Sequence, residues 1–408
     1  MVAPANNAVD RLLAALPAKG EGRARFAELG FPTTRDEDWR FTSVAPIAEL
    51  EFSNTQADDT ATLEGCVFDA LEGPRLVFVN GHFSSKLSSV GQLPTGIEVG
   101  NIANSDCPDP KMTGDAFGAL NIASFIDGAF VRVADEVTFE MPIRVYYLGT
   151  GGDGSTANIR NLFIIGANSK ATILESWTGA DAAYFNNVIT ELSVGDNAQV
   201  EHVKFQDESV AAFHIAGLHA MMGRDSHTAH HSIALGGRIA RNNIRAHLNG
   251  TGLEAVLNGL YLPRGEQLID HHMVVDHHQP HCDSHEYFNG ILDDSARAVF
   301  HGRIHVHKGA DKTDAKQTNK NLLLSNNATV DTKPQLEIYA DDVKCTHGAT
   351  VGQMNPEQIF YLRTRGLNEE AARRMIMHAF AGEIIRRIAC ESVREELDRL
   401  VWDRLEEK

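Results

Sequence analysis

Four small polar turns recur through the middle of the chain at a nearly constant interval. Gly166-Ala167-Asn168-Ser169, Gly195-Asp196-Asn197-Ala198 and Gly223-Arg224-Asp225-Ser226 begin 29 and then 28 residues apart. Gly250, in Asn249-Gly250-Thr251-Gly252, follows Gly223 by 27. Between them lie short apolar runs such as Leu162-Phe163-Ile164-Ile165, Ala171-Thr172-Ile173-Leu174 and Val200-Glu201-His202-Val203. Turns at Asp293-Asp294-Ser295 and Ser325-Asn326-Asn327 continue the pattern less regularly. A drifting period in the high twenties, with two or three short strands per unit, points to the coils of a parallel β-helix, in which each coil buries its inner face only by stacking on its neighbours. A large β-sandwich also has short strands and regular turns, and spacing alone leaves it open.

Helical texture flanks this β region. Leu12, Leu13, Leu16, Phe26 and Leu29 recur at helical spacing until Gly30 and Pro32 stop them, and a short helix fits between Phe117 and Phe130. Leu76 to Phe83 reads as a β run into an Asn-Gly turn. After Gly352 the chain returns to helix: Met354–Leu362 forms a short amphipathic segment, and Asn368 caps a helix opening on Glu369-Glu370. Met375, Ile376, Ala379, Phe380, Ile384 and Ile388 then form an apolar stripe, which serves either packing within the domain or docking of a partner, and residues 391–408 continue as a charged helix or tail. The division is therefore an N-terminal helical region over 1–74, a β core over 75–352 and a C-terminal helical domain over 353–408.

Composition narrows the partners. With 37 Lys and Arg against 55 Asp and Glu, the net charge of −18 repels phosphate backbones and anionic lipid, so neither nucleic acid nor membrane is expected. The N-terminus lacks an apolar signal core, and no run of eighteen apolar residues occurs. Five scattered cysteines without a C-x-x-C pair argue against a disulfide framework or a four-cysteine site, and the expected setting is the reducing cytoplasm.

The nineteen histidines concentrate late in the β region, from His227 to His307. His305 and His307 share a strand face, and His281, Cys282 and His285 offer a mixed nitrogen and sulfur set suited to zinc, ferrous iron or copper. Against a metal site stand the absence of H-E-x-x-H and of facial-triad spacing, and the frequency of polar ladders on β-coils. A second candidate is Cys345 with His347, two residues apart, where a thiolate and an imidazole can reach one point. Lys344 would favour the thiolate, while Asp341 and Asp342 oppose it. The alternative is a structural turn with a buried cysteine. No P-loop, G-x-S-x-G or strand–G-x-G-x-x-G–helix unit is present, so the chain itself should not hydrolyse ATP. A β-helical enzyme acting on acidic polysaccharide and a histidine-rich metal protein are the competing function classes.

The run Tyr339 to Gly352, with Asp341-Asp342-Val343-Lys344-Cys345-Thr346-His347-Gly348-Ala349-Thr350 at its centre, and then Gln358-Ile359-Phe360-Tyr361-Leu362-Arg363-Thr364-Arg365-Gly366, resemble the C-terminal signature of the SufB/SufD family. Supporting segments are Asp36-Glu37-Asp38-Trp39-Arg40-Phe41, Val79-Asn80-Gly81-His82-Phe83, Leu120-Asn121, Leu260-Tyr261-Leu262 and Gly302-Arg303-Ile304, so the resemblance spans nearly the whole chain. Cys-Thr-His-Gly-Ala-Thr favours the SufD branch over SufB. The resemblance implies a mainly β fold, a right-handed parallel β-helix flanked by helical regions, in a non-catalytic scaffold subunit of iron–sulfur cluster assembly. It implies pairing with a SufB-like paralogue through the β-helix and binding of a SufC-like ATPase by the C-terminal helices, where Met375, Ile376 and Phe380 are the docking candidates. An isolated chain could instead pair with itself. By motif match His347 faces a transient cluster or Fe(II) shared with SufB, with Cys345 nearby. Reduced flavin has been associated with such complexes, although the sequence carries no flavin motif.

Overall fold

The computed structural model describes residues 5–109, 111 and 114–406. Its strands fall into two ten-stranded sheets. From Ile143–Gly149 onward, consecutive strands alternate between them, so each strand pairs with those two places away in sequence. Among the described residues, every pairing between strands is parallel apart from two short antiparallel ones near the start. That path is a flattened parallel β-helix, and it excludes the β-sandwich that spacing alone left open.

Register explains the turn period. Lys170 lies beside Gln199, Gln199 beside His227, and His227 beside Glu254, so one coil takes 27 to 29 residues here. The turns stack as well as the strands. Asn168, Asn197, Asp225 and His281 all adopt φ between 54° and 59°, the left-handed conformation that Asn and Asp tolerate best. Each backbone N–H donates into the next turn, as from Asn168 to Asp196 O (2.8 Å), Asn197 to Arg224 O (2.7 Å) and His281 to Asp311 O (2.9 Å). The polar turns are thus a hydrogen-bonded ladder down one edge.

The lumen is apolar where Phe163, Ile173, Val188, Leu192, Val200 and Ile244 meet. Outside, both faces are covered. The N-terminal helices and Ala116–Ser124 lie over Phe185, Phe213, Ile215 and Ile239 of the first sheet. Asn121 pins this cover by donating to the carbonyls of Ile159 (2.8 Å) and Asn187 (3.0 Å). Gly22 lets two cover helices touch, since a Cβ there would stand 2.7 Å from Ala119 O.

Three C-terminal helices, Pro356–Thr364, Glu369–Ile385 and Glu391–Arg404, cover the second sheet. Met377, Ala381, Ile384, Ile385, Ile388, Val393, Leu397 and Val401 pack on Leu174, Val203, Phe205, Ile233 and Leu260. Glu201 reaches from the sheet to accept the Ala389 and Cys390 N–H groups, fixing the start of the last helix. The apolar stripe expected from the sequence is therefore split. Ile384 and Ile388 face the sheet, whereas Met375, Ile376, Ala379 and Phe380 line an outward groove with Tyr361 and Leu362.

Candidate functional site at the last coil

Among the described residues, nothing pairs with the outer edge of the last coil. Lys344–Gly352 closes the second sheet and pairs, among the described residues, only with Asp314–Leu323. Thr329–Ile338 likewise ends the first sheet. Preceding strands are largely buried, but these two are half-buried or exposed, and Ile338, Tyr339 and Val351 stand open to solvent. An unpaired strand edge of this length is a surface that proteins normally cover.

Both residues singled out at this end lie on the last strand. Cys345 stacks on Ala315 and packs with Ile304, Val306 and Val343. Burial pushes its thiol pKa up, with Asp314 adding to the rise. Lys344 is not among the groups acting on it, because strand alternation sends adjacent side chains to opposite faces. Of the two opposing influences read from the sequence, Lys344 and the neighbouring aspartates, neither decides the thiol, which burial holds protonated at the rim. His347 is exposed, and its register partner is the buried Gln317.

Gln317 in turn donates to Glu286 (2.7 Å), so a polar file leads from His347 into the lumen. Gly302 stands opposite: a Cβ there would come within 2.0 Å of Gln317 Nε2, so only glycine leaves room for the pair. Burial lifts the Glu286 carboxyl up to about 7, and the Gln317 hydrogen bond offsets only part of that. In the unfolded chain this carboxyl titrates near 4.5, so the folded protein binds more protons between those values and loses stability as pH rises through them. Glu286→Gln removes that loss. Urea unfolding should show variant and wild type alike below pH 4.5 and the variant more stable by about 3 kcal/mol at pH 8. A difference independent of pH would show that Glu286 does not titrate in this window.

His281, Cys282 and His285 do not converge. Cys282 points into the core, with Sγ 3.2 Å from Gly250 O, while His281 is the left-handed turn residue and His285 leans towards Glu254 on the outer face. None of the three belongs to a metal-competent group among the described residues. All five cysteines are free thiols.

Sequence reasoning missed a charged network inside the lumen. Lys204 Nζ donates to His214 Nε2 and to Asn242 Oδ1, both at 2.8 Å. His214 Nδ1 lies 2.7 Å from Glu208, which also accepts from Asn186 (2.7 Å) and Gln206 (2.9 Å). Glu175 accepts from Trp177 (2.9 Å) and sits 2.9 Å from His202, whose ring meets His230. Lys204, Glu208 and His214 come from two consecutive strands of one coil and the turn between them, whereas Glu175, His202 and His230 are brought together by the stacking of successive coils.

A helically clad parallel β-solenoid with a polar lumen and an uncapped final coil is the class that fold and site define. Residues 17–145 match the SufBD protein N-terminal region, and residues 147–380 match the SufBD core domain of the SUF system for FeS cluster assembly. The iron–sulfur cluster assembly protein SufD of Escherichia coli is 32% identical over 381 residues, covering 92% of this chain and 90% of that protein. A SufBD family protein of Synechocystis is 33% identical over 396 residues, covering 91% and 87%. SufD of Bacillus subtilis is 30% identical over 288 residues, covering 68% and 64%. The chain belongs to the SufBD family of iron–sulfur cluster assembly proteins. Among the described residues no helix is long and apolar enough to cross a membrane.

Proposed function

We propose that this chain is a non-catalytic scaffold subunit that pairs through its open last coil with a SufB-like paralogue. The observation that carries the proposal is the exposed outer edge of Lys344–Gly352 at the end of the second sheet. A second β-helix laid against it would satisfy the edge and bury Ile338, Tyr339 and Val351. His347 then sits at the joint with an unencumbered imidazole, and Cys345 stands two residues away on the same face. Iron or a nascent cluster, as the cargo of assembly, would take His347 as one ligand and draw the others from the paralogue. Cys345 would contribute once metal displaced its proton, since a thiol ligates as thiolate.

The outward groove of the C-terminal helices is the proposed seat of a SufC-like ATPase. Tyr361 and Met375 are exposed there, with the exposed Phe360 beside Tyr361 on the same helix, an apolar patch on a terminal module. Met375→Asp should weaken ATPase binding at least about tenfold while leaving the helices folded, because Met375 contributes little to internal packing. Isothermal titration and far-UV circular dichroism read the two effects, and unchanged affinity would move the seat elsewhere.

The whole reading is tested by co-expression with SufB-like and SufC-like proteins, followed by size exclusion and subunit counting. A stable assembly containing one copy of this chain, one paralogue and two ATPases is the expected result. A chain that elutes alone, or only with a second copy of itself, would remove the pairing from the account.

A further inference from the structure

A second cluster of metal-ligating side chains lies on the outer face of the first sheet, away from His347. His247, Asp276 and His305 occupy successive coils at one register position, so parallel pairing stacks them directly. His278 and His307 follow two residues after Asp276 and His305, and the two-residue repeat of a strand continued into the turn returns them to the same outer face. Stacking in one direction and alternation in the other build a small grid with a single carboxylate among four imidazoles.

The distances fit a shared occupant. His305 Nδ1 lies 3.4 Å and His307 Nε2 3.7 Å from Asp276 Oδ1, while His247 Nδ1 lies 3.4 Å from the other oxygen, Oδ2. The rings of His305 and His307 stand 4.0 Å apart, and those of His278 and His307 4.2 Å. His307 Nε2 is buried without a hydrogen-bond partner. One carboxylate cannot serve four imidazoles as an ion-pair partner, and rings this close repel one another when protonated.

We infer that Asp276, with His305 and His307 on one side and His247 and His278 on the other, is a binding site for a borderline divalent cation of the Fe²⁺ or Zn²⁺ class. Each half is a set of two histidines and one carboxylate whose ligand atoms all lie within 4.8 Å of one another. Nitrogen and oxygen ligands about 2.0–2.2 Å from an ion sit roughly 3.3–3.6 Å apart, so small side-chain rotations close either half. Two imidazoles and a carboxylate leave coordination positions free, the arrangement that suits ferrous iron and exchangeable zinc. The strands hold His247, Asp276 and His305 in register, with His278 and His307 just past the strand ends, and the half-buried position gives an ion a path in and out. The site needs no partner chain and stands whether or not the last coil pairs with a paralogue.

The test uses the full chain, metal-stripped and anaerobic, titrated separately with Zn²⁺, Fe²⁺ and Co²⁺ against a chelator of known affinity. The expected result is saturable uptake of at least one ion per chain, with a Co²⁺ visible spectrum of nitrogen and oxygen ligation. Asp276→Asn, which keeps shape and removes the charge common to both halves, should cost about 100-fold in affinity, since even loss of a residue that only orients a ligand costs 10–100-fold. Should that variant unfold, His307→Gln at the half-buried turn serves instead, with the same loss expected. No saturable uptake by the wild type would overturn the assignment. So would uptake unchanged in folded Asp276→Asn or His307→Gln, which would place the ion elsewhere, for instance at Asp38, His272 and His301.

Discussion

Replacing Lys204 with Ala should destabilise the chain by about 3–5 kcal/mol, the cost of leaving buried charge uncompensated. Lys204 is buried in the lumen, and its field acts on both Glu175 and Glu208. Burial tends to raise both carboxyls, yet both stay below their ordinary values, Glu175 chiefly through His202 and Glu208 chiefly through His214. Without the lysine, His214 and Asn242 lose a donor, and Glu175 and Glu208 lose the buried positive charge that faces them. The midpoint of urea unfolding at pH 7 reads the loss. Adding Glu175→Gln and Glu208→Gln to the same chain should recover most of it, because the buried charges then leave together.

The pH dependence fixes the sign independently. Burial pulls Lys204 down to about 8 against 10.5 in the unfolded chain. Between those values the unfolded state holds the extra proton, so stability from this group rises with pH across that window. The single variant lacks that rise. If Lys204→Ala costs less than about 1 kcal/mol, the lumen is better hydrated than the packing implies, and the network is not structural.

The second large effect concerns chemistry rather than folding. His347→Ala should leave the chain folded and still able to assemble with its partners, because the side chain is exposed at the rim. Iron or cluster loading of the reconstituted assembly should fall to less than about a tenth, as expected when a direct ligand is removed. Cys345→Ser should have a smaller effect, since that thiol is held protonated and packed among aliphatic neighbours. A His347→Ala chain that loads metal normally would reduce the rim histidine to a surface residue.

The sequence displayed the coil length but not the chemistry inside the coils. The Asn and Asp turns could be read because each needs a residue that tolerates left-handed backbone, and such residues mark the chain at one-coil intervals. Lys204 and His214 face each other from consecutive strands with Glu208 in the turn between them, and no spacing along a single strand announces a contact made where one coil folds back. The Asp276 grid was in principle legible. His247, Asp276 and His305 follow at 29-residue steps, as do His278 and His307, which is the coil period applied to side chains instead of turns. Reading histidines along the chain rather than across it favoured His281, Cys282 and His285, which the alternation of a turn and a strand disperses. The C-terminal stripe stayed open between packing and docking for a different reason. Glu369–Ile385 is apolar on two faces, Met375, Ile376 and Phe380 outward and Met377, Ala381 and Ile384 inward, so helical periodicity could not separate groove from core.

The account turns on the open last coil, and hydrogen exchange of its backbone measures that coil directly. Amide exchange would be followed in the isolated chain and again after addition of a SufB-like partner. The account predicts rapid exchange along the outer edge of Lys344–Gly352 in the isolated chain and strong protection there, and in Thr329–Ile338, once the partner is bound. Protection that appears only on other surfaces, with this edge still exchanging freely in a stable complex, would contradict it.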